Sequence, residues 1–482
     1  MIDFSSAAIS FDLISPEIAL LVAAFVILLI GHLRSLARVV APVALIGLMT
    51  ALGLASAQWD RPASGFSGMV TCDNFSVAFK MIFIVASMLT VGIAHRFFKV
   101  KGIARPEFYA LLLISTMGMM VMASSADLVV LFLGLEIMSV PLYVMAAFAR
   151  RSLESNEAGI KYFILGAFAS AFLLMGIAFL FGASGTTDLR RIGANMHFAV
   201  SRFPLYTYVG AALTLIGFAF KIAAVPFHNW VPDVYQGAPT PVTAYFSVAP
   251  KAAGFAALLR LATIGLVDVP AIPVVFWVLA VLTMSVGNIL ALRQDNVKRM
   301  LAYSSIAHAG YVLVALAAGG DDAVAAAVLY LVAYTLFNLG AFAVVTLLET
   351  RSGRRSDMSE LAGLSRSRPY LAAVLALFMF SLAGFPPTVG FLGKFYIFSA
   401  AVKGGFIGLA VIGVMNSFLS VYYYLRVVKA SYLDRTDQPF ARVSYSPGMV
   451  LVLLITAAGT LGLGILPQRL LELSQAAVQA FL

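Results

Sequence analysis

Long, uninterrupted runs of apolar residues are separated by short polar segments along most of the chain. An α-helix needs roughly 20 apolar residues to cross a bilayer, whereas the strands of a membrane β-barrel alternate apolar and polar residues. The pattern therefore predicts an all-α polytopic membrane protein with about fourteen transmembrane helices. The predicted spans are 13–31, 39–58, 74–95, 108–124, 127–149, 158–183, 205–230, 240–262, 270–291, 300–318, 323–348, 370–403, 405–428 and 448–466.

Two of these spans, the seventh and the twelfth, are predicted to be discontinuous. The twelfth, 370–403, is much longer than a straight span requires. Proline removes a backbone donor and frees the carbonyl four residues earlier, which is tolerated at membrane depth only beside protein or water. The predicted helix breaks lie at Pro226, Pro250, Pro386 and Pro387.

Spans 4–8 and 9–13 are predicted to form two repeats of five helices each. Because the first helices of the two units begin on opposite sides of the membrane, the repeats have inverted topology, as in many transporters. The arrangement predicts two half-channels in series, one opening to each face. Residues 1–106 hold three N-terminal spans, 107–262 the first repeat, 263–430 the second repeat and 431–482 a C-terminal span.

The composition agrees with a membrane protein and excludes several chemistries. Hydrophobic residues make up 61% of the chain and charged residues 11%, too few polar groups to cover soluble domains. The single cysteine, Cys72, allows no intramolecular disulfide and no thiolate-ligated metal cluster. One histidine lies well inside an apolar span, so a bis-histidine haem is not expected. No phosphate-binding loop of an ATPase is present.

Lysine and arginine concentrate in the loops that follow odd-numbered spans. These loops carry 21 such residues, against 7 in the even-numbered loops and the C-terminal segment. The positive-inside rule therefore places the odd loops in the cytoplasm and both termini on the opposite side. The cluster Arg190, Arg191 and Arg202 runs against this trend. The net charge of +10 mostly reflects this topology, so no nucleic-acid partner is predicted.

Four ionisable residues lie deep within the predicted spans: Glu136, Lys221, Lys251 and Lys394. A charge at the bilayer centre costs at least about 2.5–3.5 kcal/mol, so each requires a partner or a wet cavity. Residues of this kind are candidates for moving an ion or a proton across the membrane. The alternative for each lysine is a purely structural pairing.

Two other ionisable residues have simpler explanations. Glu17 follows Ser15-Pro16 and is predicted to lie in the first turn of the first helix, where a negative charge favours the helix dipole. Lys80 lies seven residues after Asp73 and is predicted to extend its side chain to the membrane interface.

His308 also lies at mid-depth and is a candidate proton relay, although a hydrogen-bonded core histidine is the competing interpretation. Polar residues near it in sequence or in the next span are candidates for holding a chain of water molecules. Polar packing explains them equally well. These residues are Tyr303, Ser304, Ser305, Tyr334 and Asn338.

Several long motifs carry a family resemblance. They are LGLEIMSVPLYVM at 133–145, EAGIKYFILGAFASAFLLMG at 157–176, GFAFKIAAVPFHNWVPDVYQGAPTPVTAYFSVAPKAAGF at 217–255, NVKRMLAYSSIAHAGY at 296–311 and LAGFPPTVGFLGKF at 382–395. The chain resembles the antiporter-like membrane subunits of respiratory complex I, an NADH-quinone oxidoreductase, over nearly its whole length. The Pro250-Lys251 run and the lysine at 394 are most similar to the N-type branch.

The resemblance implies roles for the deep residues. Glu136 and Lys221 match a glutamate–lysine pair on helices 5 and 7, and Lys251 matches a central lysine on helix 8. Lys394 matches the terminal proton-exchanging residue on the broken helix 12. The implied path takes protons up from the cytoplasm through the first repeat to Lys221 and Lys251. It then passes His308 to Lys394 and releases them through the second repeat.

The resemblance also implies partners and localisation. The chain is expected to act as a proton-translocating membrane-arm subunit in a bacterial inner membrane, beside peripheral subunits and neighbouring antiporter-like subunits. It is expected to hold no cofactor or metal itself, with FMN, iron–sulfur clusters and quinone chemistry in partner subunits. Two alternatives use the same lysines and glutamate: a subunit of a multisubunit cation/proton antiporter and a subunit of a membrane-bound hydrogenase.

Overall fold

The computed structural model of the chain describes residues 10–33, 39–352, 356–434 and 445–479. Nineteen α-helices lie in these ranges. They are α1 Ser15–Gly31, α2 Val40–Ala57, α3 Asn74–Lys101, α4 Pro106–Ser124, α5 Leu128–Ala146, α6 Leu153–Ser184, α7 Leu189–Arg202, α8 Pro204–Ile222, α9 Trp230–Gly237, α10 Thr240–Arg260, α11 Ile272–Ala291, α12 Val297–Ala318, α13 Asp321–Ser352, α14 Leu364–Ser367, α15 Pro369–Ala383, α16 Val389–Lys403, α17 Ile407–Tyr432, α18 Pro447–Ile465 and α19 Gln468–Gln479.

Short elements complete the described part of the chain. Strands β1 (Ala63–Gly65) and β2 (Val70–Cys72) pair antiparallel between α2 and α3. Two 3₁₀ turns, Phe11–Ile14 and Met358–Leu361, precede α1 and α14, and one π turn, Leu261–Gly265, extends α10.

The predicted helical membrane fold is confirmed. Thirteen helices of the described ranges are long and apolar enough to cross a membrane. The remaining predicted span, 370–403, is divided into α15 and α16. In the seventh predicted span, 205–230, helix α8 ends at Ile222, and the short helix α9 begins at the last residue of the span, Trp230. Some of the loop arginines that were counted for the orientation lie outside the described residues: Arg34, Arg38, Arg354, Arg355, Arg435 and Arg442.

Burial separates the helices into a central group and a peripheral group. Helices α10, α12 and α13 are almost entirely buried. In the most apolar stretch of each peripheral helix, fewer than half of the residues are buried; these helices are α1, α2, α6, α11, α17 and α18. The central helices carry the lysine at 251 and the histidine at 308. Charged groups on them are therefore removed from lipid by the surrounding helices.

The two predicted repeats share a backbone motif. An isolated bridge joins Asp127, before α5, to Asp188, before α7. A second bridge joins Asn296, before α12, to Asp357, which follows α13. In each repeat the first residue of the bridge also caps the following helix with its side chain, because polar caps satisfy free N–H groups. By the order of the spans the two bridges lie at opposite membrane faces, as inverted repeats require.

Lys80 does not reach the interface as predicted. Its side chain is fully buried on α3, where Nζ lies 2.9 Å from Oε1 of Glu17. Glu17 does lie in the first turn of α1, but its main contact is this ion pair. The lysine stays inside because a buried carboxylate on the neighbouring helix offsets the loss of water.

Arg260, which the charge count treated as a loop residue, is also buried. Its guanidinium donates two hydrogen bonds to Asp73, at 2.9 and 2.8 Å, and two to the carbonyl of Ala123, at 3.2 and 3.0 Å. Asp73 is the N-cap of α3, so this contact fixes the ends of α3, α4 and α10 to one another.

Two amphipathic helices and the β-hairpin were not predicted. Helices α7 and α19 follow the sixth and fourteenth spans, and each buries one side against the membrane helices. Both are shorter than a span and carry mixed polar and apolar residues, so a search for long apolar runs does not find them.

Candidate functional site: the buried lysines

Lys221 lies in the last turn of α8, where its side chain is 3% exposed. Its ammonium donates to Oγ of Ser139 at 2.7 Å and to the hydroxyl of Tyr143 at 3.2 Å, both on α5. The rings of Tyr143 and Tyr162 lie 5.2 and 5.8 Å from Nζ. Hydroxyl oxygens and aromatic faces therefore replace water around this charge.

Glu136 lies one turn before Ser139 on α5 and accepts a hydrogen bond of 2.5 Å from Ser170 on α6. Among the ion pairs of the described residues, none joins Glu136 to Lys221. The pair suggested by the resemblance is therefore interrupted here, with the serine hydroxyl as the direct partner of the lysine. Residues three apart on a helix share a face, so Glu136 and Ser139 face the same side.

The break between α8 and α9 confirms the position predicted at Pro226. Helix α8 ends at Ile222, and the cap residue Ala223 that follows it has a φ of +62°. The N–H of Val225 donates to Thr283 on α11 at 3.0 Å, and Trp230 Nε1 donates to the carbonyl of Phe220 at 3.2 Å. Side chains thus satisfy backbone groups that the break leaves free, as membrane depth requires.

Lys251 lies on α10, where Nζ donates to the carbonyl oxygen of Ser305 at 2.8 Å and to its hydroxyl at 2.6 Å. The break predicted at Pro250 is wrong, because α10 continues unbroken through it. Proline at 250 frees the carbonyl of Phe246, and the hydroxyl of Tyr235 donates to that oxygen at 3.1 Å. With this carbonyl satisfied, the helix has no need to open.

His308 is the centre of a buried aromatic cluster. Its Nδ1 lies 2.5 Å from the hydroxyl of Tyr330 on α13, and its Nε2 lies 2.9 Å from the hydroxyl of Tyr424 on α17. The same Tyr424 hydroxyl lies 2.5 Å from Oγ of Ser304. Both ring nitrogens are therefore engaged, which suits a histidine that passes a proton from one partner to another.

The other relay candidates are placed differently. Asn338 donates to Oγ of Ser247 at 2.6 Å, while its own Oδ1 is buried without a partner among the described residues. The hydroxyl of Tyr334 is also buried without a hydrogen-bond partner among the described residues, and the Tyr334 ring lies 5.1 Å from the ring of His308. Tyr303 is half-buried at the edge of the core and makes no hydrogen bond with a described side chain.

Lys394 lies on α16, after the break at Pro386 and Pro387, which confirms the position of the second predicted break. Its ammonium donates to the carbonyls of Leu382 at 2.9 Å and Ala383 at 3.0 Å. A third bond, to Ser417 on α17, measures 2.9 Å. All three donors of the lysine are satisfied, and the two carbonyls belong to the negative end of the α15 dipole.

The two lysines on broken helices are not equivalent in the chain. Lys221 precedes its break and lies at the end of the first half-helix, whereas Lys394 follows its break. Even so, the amine of Lys394 returns to the end of the first half-helix, α15. The ammonium of Lys221, by contrast, is bound by hydroxyl groups of the neighbouring helix α5.

Several contact residues escaped prediction. Ser139 and Tyr143 follow Glu136 by three and seven residues. This spacing places all three on one face of α5 and could have predicted both contact residues. His228 lies within the first break, 8% exposed, with Nδ1 buried and lacking a described partner. Tyr424 and Ser417 lie more than a hundred residues beyond His308, and no local spacing points to them.

Among the described residues, no group of three or more histidine, cysteine, aspartate or glutamate side chains is arranged to hold a metal ion. The candidate site therefore consists of lysines, one carboxylate, one histidine and neutral hydroxyl and carbonyl groups. Such a set can bind, hold and release protons.

A family model described as NADH:quinone oxidoreductase/Mrp antiporter, TM matches residues 125–420. NADH-quinone oxidoreductase subunit N of Trichlorobacter lovleyi is 46% identical over 98% of this chain and 97% of its own length. The chain belongs to the NADH-quinone oxidoreductase subunit N family. The resemblance read from the motifs is thus confirmed. The stretch matched by the family model includes Glu136, Lys221, Lys251 and Lys394.

Solved structures show the same fold. A chain of respiratory complex I from Thermus thermophilus with bound aureothin is similar with a TM-score of 0.81 and 34% identity, covering 95% of this chain and 98% of that one. A chain of the Mrp complex from Dietzia sp. DQ12-45-1b has a TM-score of 0.86 at 23% identity, with 98% of each chain covered. The second likeness is one of fold alone, so membership of the subunit N family rests on the relatives above.

Proposed function

We propose that the chain is the proton-translocating membrane-arm subunit of an NADH:quinone oxidoreductase, and that it acts as a translocase only within the complete complex. The observation that carries this proposal is the set of three buried ammonium groups, at Lys221, Lys251 and Lys394, each held by neutral acceptors. A lysine in this setting can lose and regain a proton, which an arginine cannot.

The proposed path follows the order of the chain. Protons enter from the cytoplasm through residues 107–262 to Lys221 and Lys251, and leave through residues 263–430 by way of Lys394. The His308 cluster lies between the two repeats on this path. Residues 1–106 and 431–482 provide helices that pack around the central group. Both termini face the periplasm of a bacterial inner membrane.

The proposed switch is the contact between Glu136 and Lys221. In the arrangement described above the lysine is bound by Ser139 and Tyr143, one turn along α5 from the glutamate. Moving one charge against about 150–200 mV costs roughly 3.5–4.6 kcal/mol. Two unit charges about 4 Å apart attract each other by roughly 4 kcal/mol at the effective dielectric constant near a protein surface. Forming and breaking this pair is therefore an adequate energetic step for one proton.

The proposed partners are the other membrane and peripheral subunits, including neighbouring antiporter-like subunits, together with the lipid bilayer. FMN, iron–sulfur clusters and quinone chemistry are assigned to those subunits, and no cofactor to this chain. The antiporter and hydrogenase alternatives use the same lysines, but no contact in the site favours them over the subunit N family.

The test replaces both members of the proposed switch within the complete complex. Glu136→Gln removes the negative charge but keeps the shape, and Lys221→Arg keeps the positive charge but cannot release its proton. Both variants should assemble, yet lose most proton transfer per electron in reconstituted vesicles, with quinone reductase turnover falling in parallel.

Matched controls lie on the surface of the same chain. Glu157→Gln and Lys403→Arg alter residues whose side chains are 63% and 67% exposed, in ion pairs that contribute little. Both controls should pump normally. Normal pumping by assembled Glu136→Gln and Lys221→Arg complexes would contradict the proposed switch.

A further inference from the structure

A cavity of about 830 Å³ opens at the ends of the helices that face the proposed cytoplasmic side. Cationic residues contribute to its lining, among them Lys101, Arg105 and Arg150, together with the acid Glu154. Lys298 and Glu349 also line it. The amine of Lys298 is engaged with the carbonyl of Ala238 at 2.8 Å. The proposed path through Lys221 makes no use of this cavity.

Glu349 connects the cavity to the central helices. It lies near the end of α13, where its half-buried carboxylate accepts a hydrogen bond from the hydroxyl of Thr240. Thr240 is the first residue of α10, the helix that carries Lys251. A carboxylate open to water at one end and bonded to the central helix at the other is suited to pick up a proton.

Polar residues continue from this contact along the line where α10 and α13 meet. On α10, Thr240, Ser247 and Lys251 are separated by seven and four residues, so they lie within about 40° of one face. On α13, Asn338 and Glu349 are eleven residues apart and likewise share a face. The two rows meet again where Asn338 donates to Ser247 at 2.6 Å.

Two unsatisfied polar atoms mark the inner end of this row. Oδ1 of Asn338 and the hydroxyl of Tyr334 are buried and have no protein partner in the described part of the chain. Buried polar atoms of this kind are commonly satisfied by ordered water, which needs several polar partners around it. Water at this place would lie between the Ser247–Asn338 contact and the region of Lys251.

We propose that Glu349 is the outer residue of a second proton inlet, which leads from the cavity along the α10–α13 contact to Lys251 and bypasses Glu136 and Lys221. A proton from bulk water protonates the Glu349 carboxylate and then moves by way of water and the Ser247–Asn338 contact to the neutral amine of Lys251. The amine becomes ammonium, and Glu349 returns to the carboxylate.

One stretch of the inlet has no continuous row of protein hydrogen bonds among the described residues. The rise from Thr240 to Ser247 is about 10 Å along the helix, and that from Ser247 to Lys251 about 6 Å. Thr243, within the longer stretch, directs its hydroxyl to the carbonyl of Tyr235 at 2.8 Å. The proposed route therefore needs water molecules between Thr240 and Ser247.

The proposed inlet adds a second route to the proposed proton path and rests on the proposed function. The test uses Glu349→Gln in the complete complex, because the amide oxygen still accepts the bond from Thr240 while the group no longer carries a proton. Quinone reductase turnover and vesicle pumping should fall with normal assembly, but by less than in Glu136→Gln or Lys221→Arg, because Lys251 still receives protons through Lys221. Imidazole, a small mobile proton carrier, should restore much of the turnover in detergent solution, which a purely structural defect would not allow.

Glu154→Gln is the matched control, since Glu154 lines the same cavity and no hydrogen bond or ion pair found among the described residues joins its side chain to α10. It should behave as the unmodified complex. Lys251→Met separates the two proposals: normal pumping by this variant would overturn the proposed function itself. Loss of pumping in Lys251→Met with normal turnover in Glu349→Gln would overturn the inlet alone. A Glu349→Gln defect that imidazole leaves unchanged would also overturn the inlet.

Discussion

At the scale of single residues, none of the three central lysines has a carboxylate as its hydrogen-bond partner. Lys221 is bound by two hydroxyl groups, Lys251 by a hydroxyl and a carbonyl of one residue, and Lys394 by two carbonyls and a hydroxyl. Neutral acceptors compensate the lost water without fixing the charge as firmly as a direct ion pair would. This setting is consistent with the proposed role of each lysine in proton exchange.

Lys394 permits a sharp distinction between structural and proton-exchanging roles. Lys394→Arg keeps a positive charge and several donors near the end of α15, but the proton cannot leave. We expect this variant to assemble with nearly normal thermal stability and to lose pumping in vesicles. Lys394→Met leaves two carbonyls without donors, at a cost of about 1–3 kcal/mol each, and should lose both stability and pumping.

The comparison of the two variants decides the role. If Lys394→Arg pumps as well as the unmodified complex, Lys394 serves only to satisfy the carbonyls. We expect Lys394→Glu to be less stable than Lys394→Arg, because its carboxylate would face the same carbonyls and the negative end of the helix dipole.

The deep lysines were predictable from the sequence because a charge inside an apolar run is costly and therefore conspicuous. Their partners were not. Ser139, Ser305 and Ser417 are ordinary residues in a membrane helix until the fold brings a lysine beside them. The same is true of Tyr424, whose contact with His308 joins α12 to α17.

At the scale of elements, proline had different consequences in different helices. Pro226, Pro386 and Pro387 lie in true breaks, whereas Pro250 lies inside a continuous helix. At Pro250 the hydroxyl of Tyr235 donates a hydrogen bond to the freed carbonyl of Phe246. Sequence locates the proline, but whether a helix opens there depends on a neighbour fifteen residues away.

The contact between Asp73 and Arg260 ties the N-terminal helices to the first repeat and yields a stability prediction. Arg260→Met leaves a buried, uncompensated carboxylate, so we expect a loss of about 3–5 kcal/mol. Adding Asp73→Asn to Arg260→Met should restore a large part of the loss, since asparagine keeps the N-cap without the charge. Thermal inactivation of the purified complex measures both effects.

The pH dependence of this contact has a defined sign. Burial alone would raise the pKa of Asp73, but the charge and hydrogen bonds of Arg260 and the bonds from Ser76 outweigh it and lower the pKa. The contact therefore stabilises the fold at neutral pH, and the contribution is lost as the pH falls through the lowered pKa. If the variant that combines Asp73→Asn with Arg260→Met were no more stable than Arg260→Met alone, the uncompensated Asp73 carboxylate would not be the cause of the loss.

At the scale of the whole molecule, the two bridges set the register of the repeats. Asn296 follows Asp127 by 169 positions, and Asp357 follows Asp188 by the same interval. In this register Ser139, rather than Glu136, corresponds to His308, and Glu136 corresponds to Ser305. Ser139, which binds Lys221, and His308, which contacts two tyrosines, thus occupy equivalent positions in the two repeats. Span counting predicted the repeats, but only the bridges fix their alignment.

The burial of Cys72 has a practical consequence for mapping the molecule by chemical labelling. It is the sole cysteine of the chain, and its side chain is 3% exposed. Burial raises the pKa of its thiol, helped by Asp73 and Glu17 and opposed by Lys80, so little reactive thiolate is present at neutral pH. The natural chain is therefore expected to react little with thiol reagents, so Cys72 need not be replaced before labelling.

Single cysteines introduced at exposed sites would then report the side of the membrane on which each site lies. Ala194→Cys on α7 and Gln475→Cys on α19 should react with an impermeant maleimide only from the periplasm. Ala104→Cys, between α3 and α4, should react only from the cytoplasm, in inverted vesicles. Labelling of Ala194→Cys and Gln475→Cys from the cytoplasm, and of Ala104→Cys from the periplasm, would reverse the proposed topology and with it the direction assigned to every proton step.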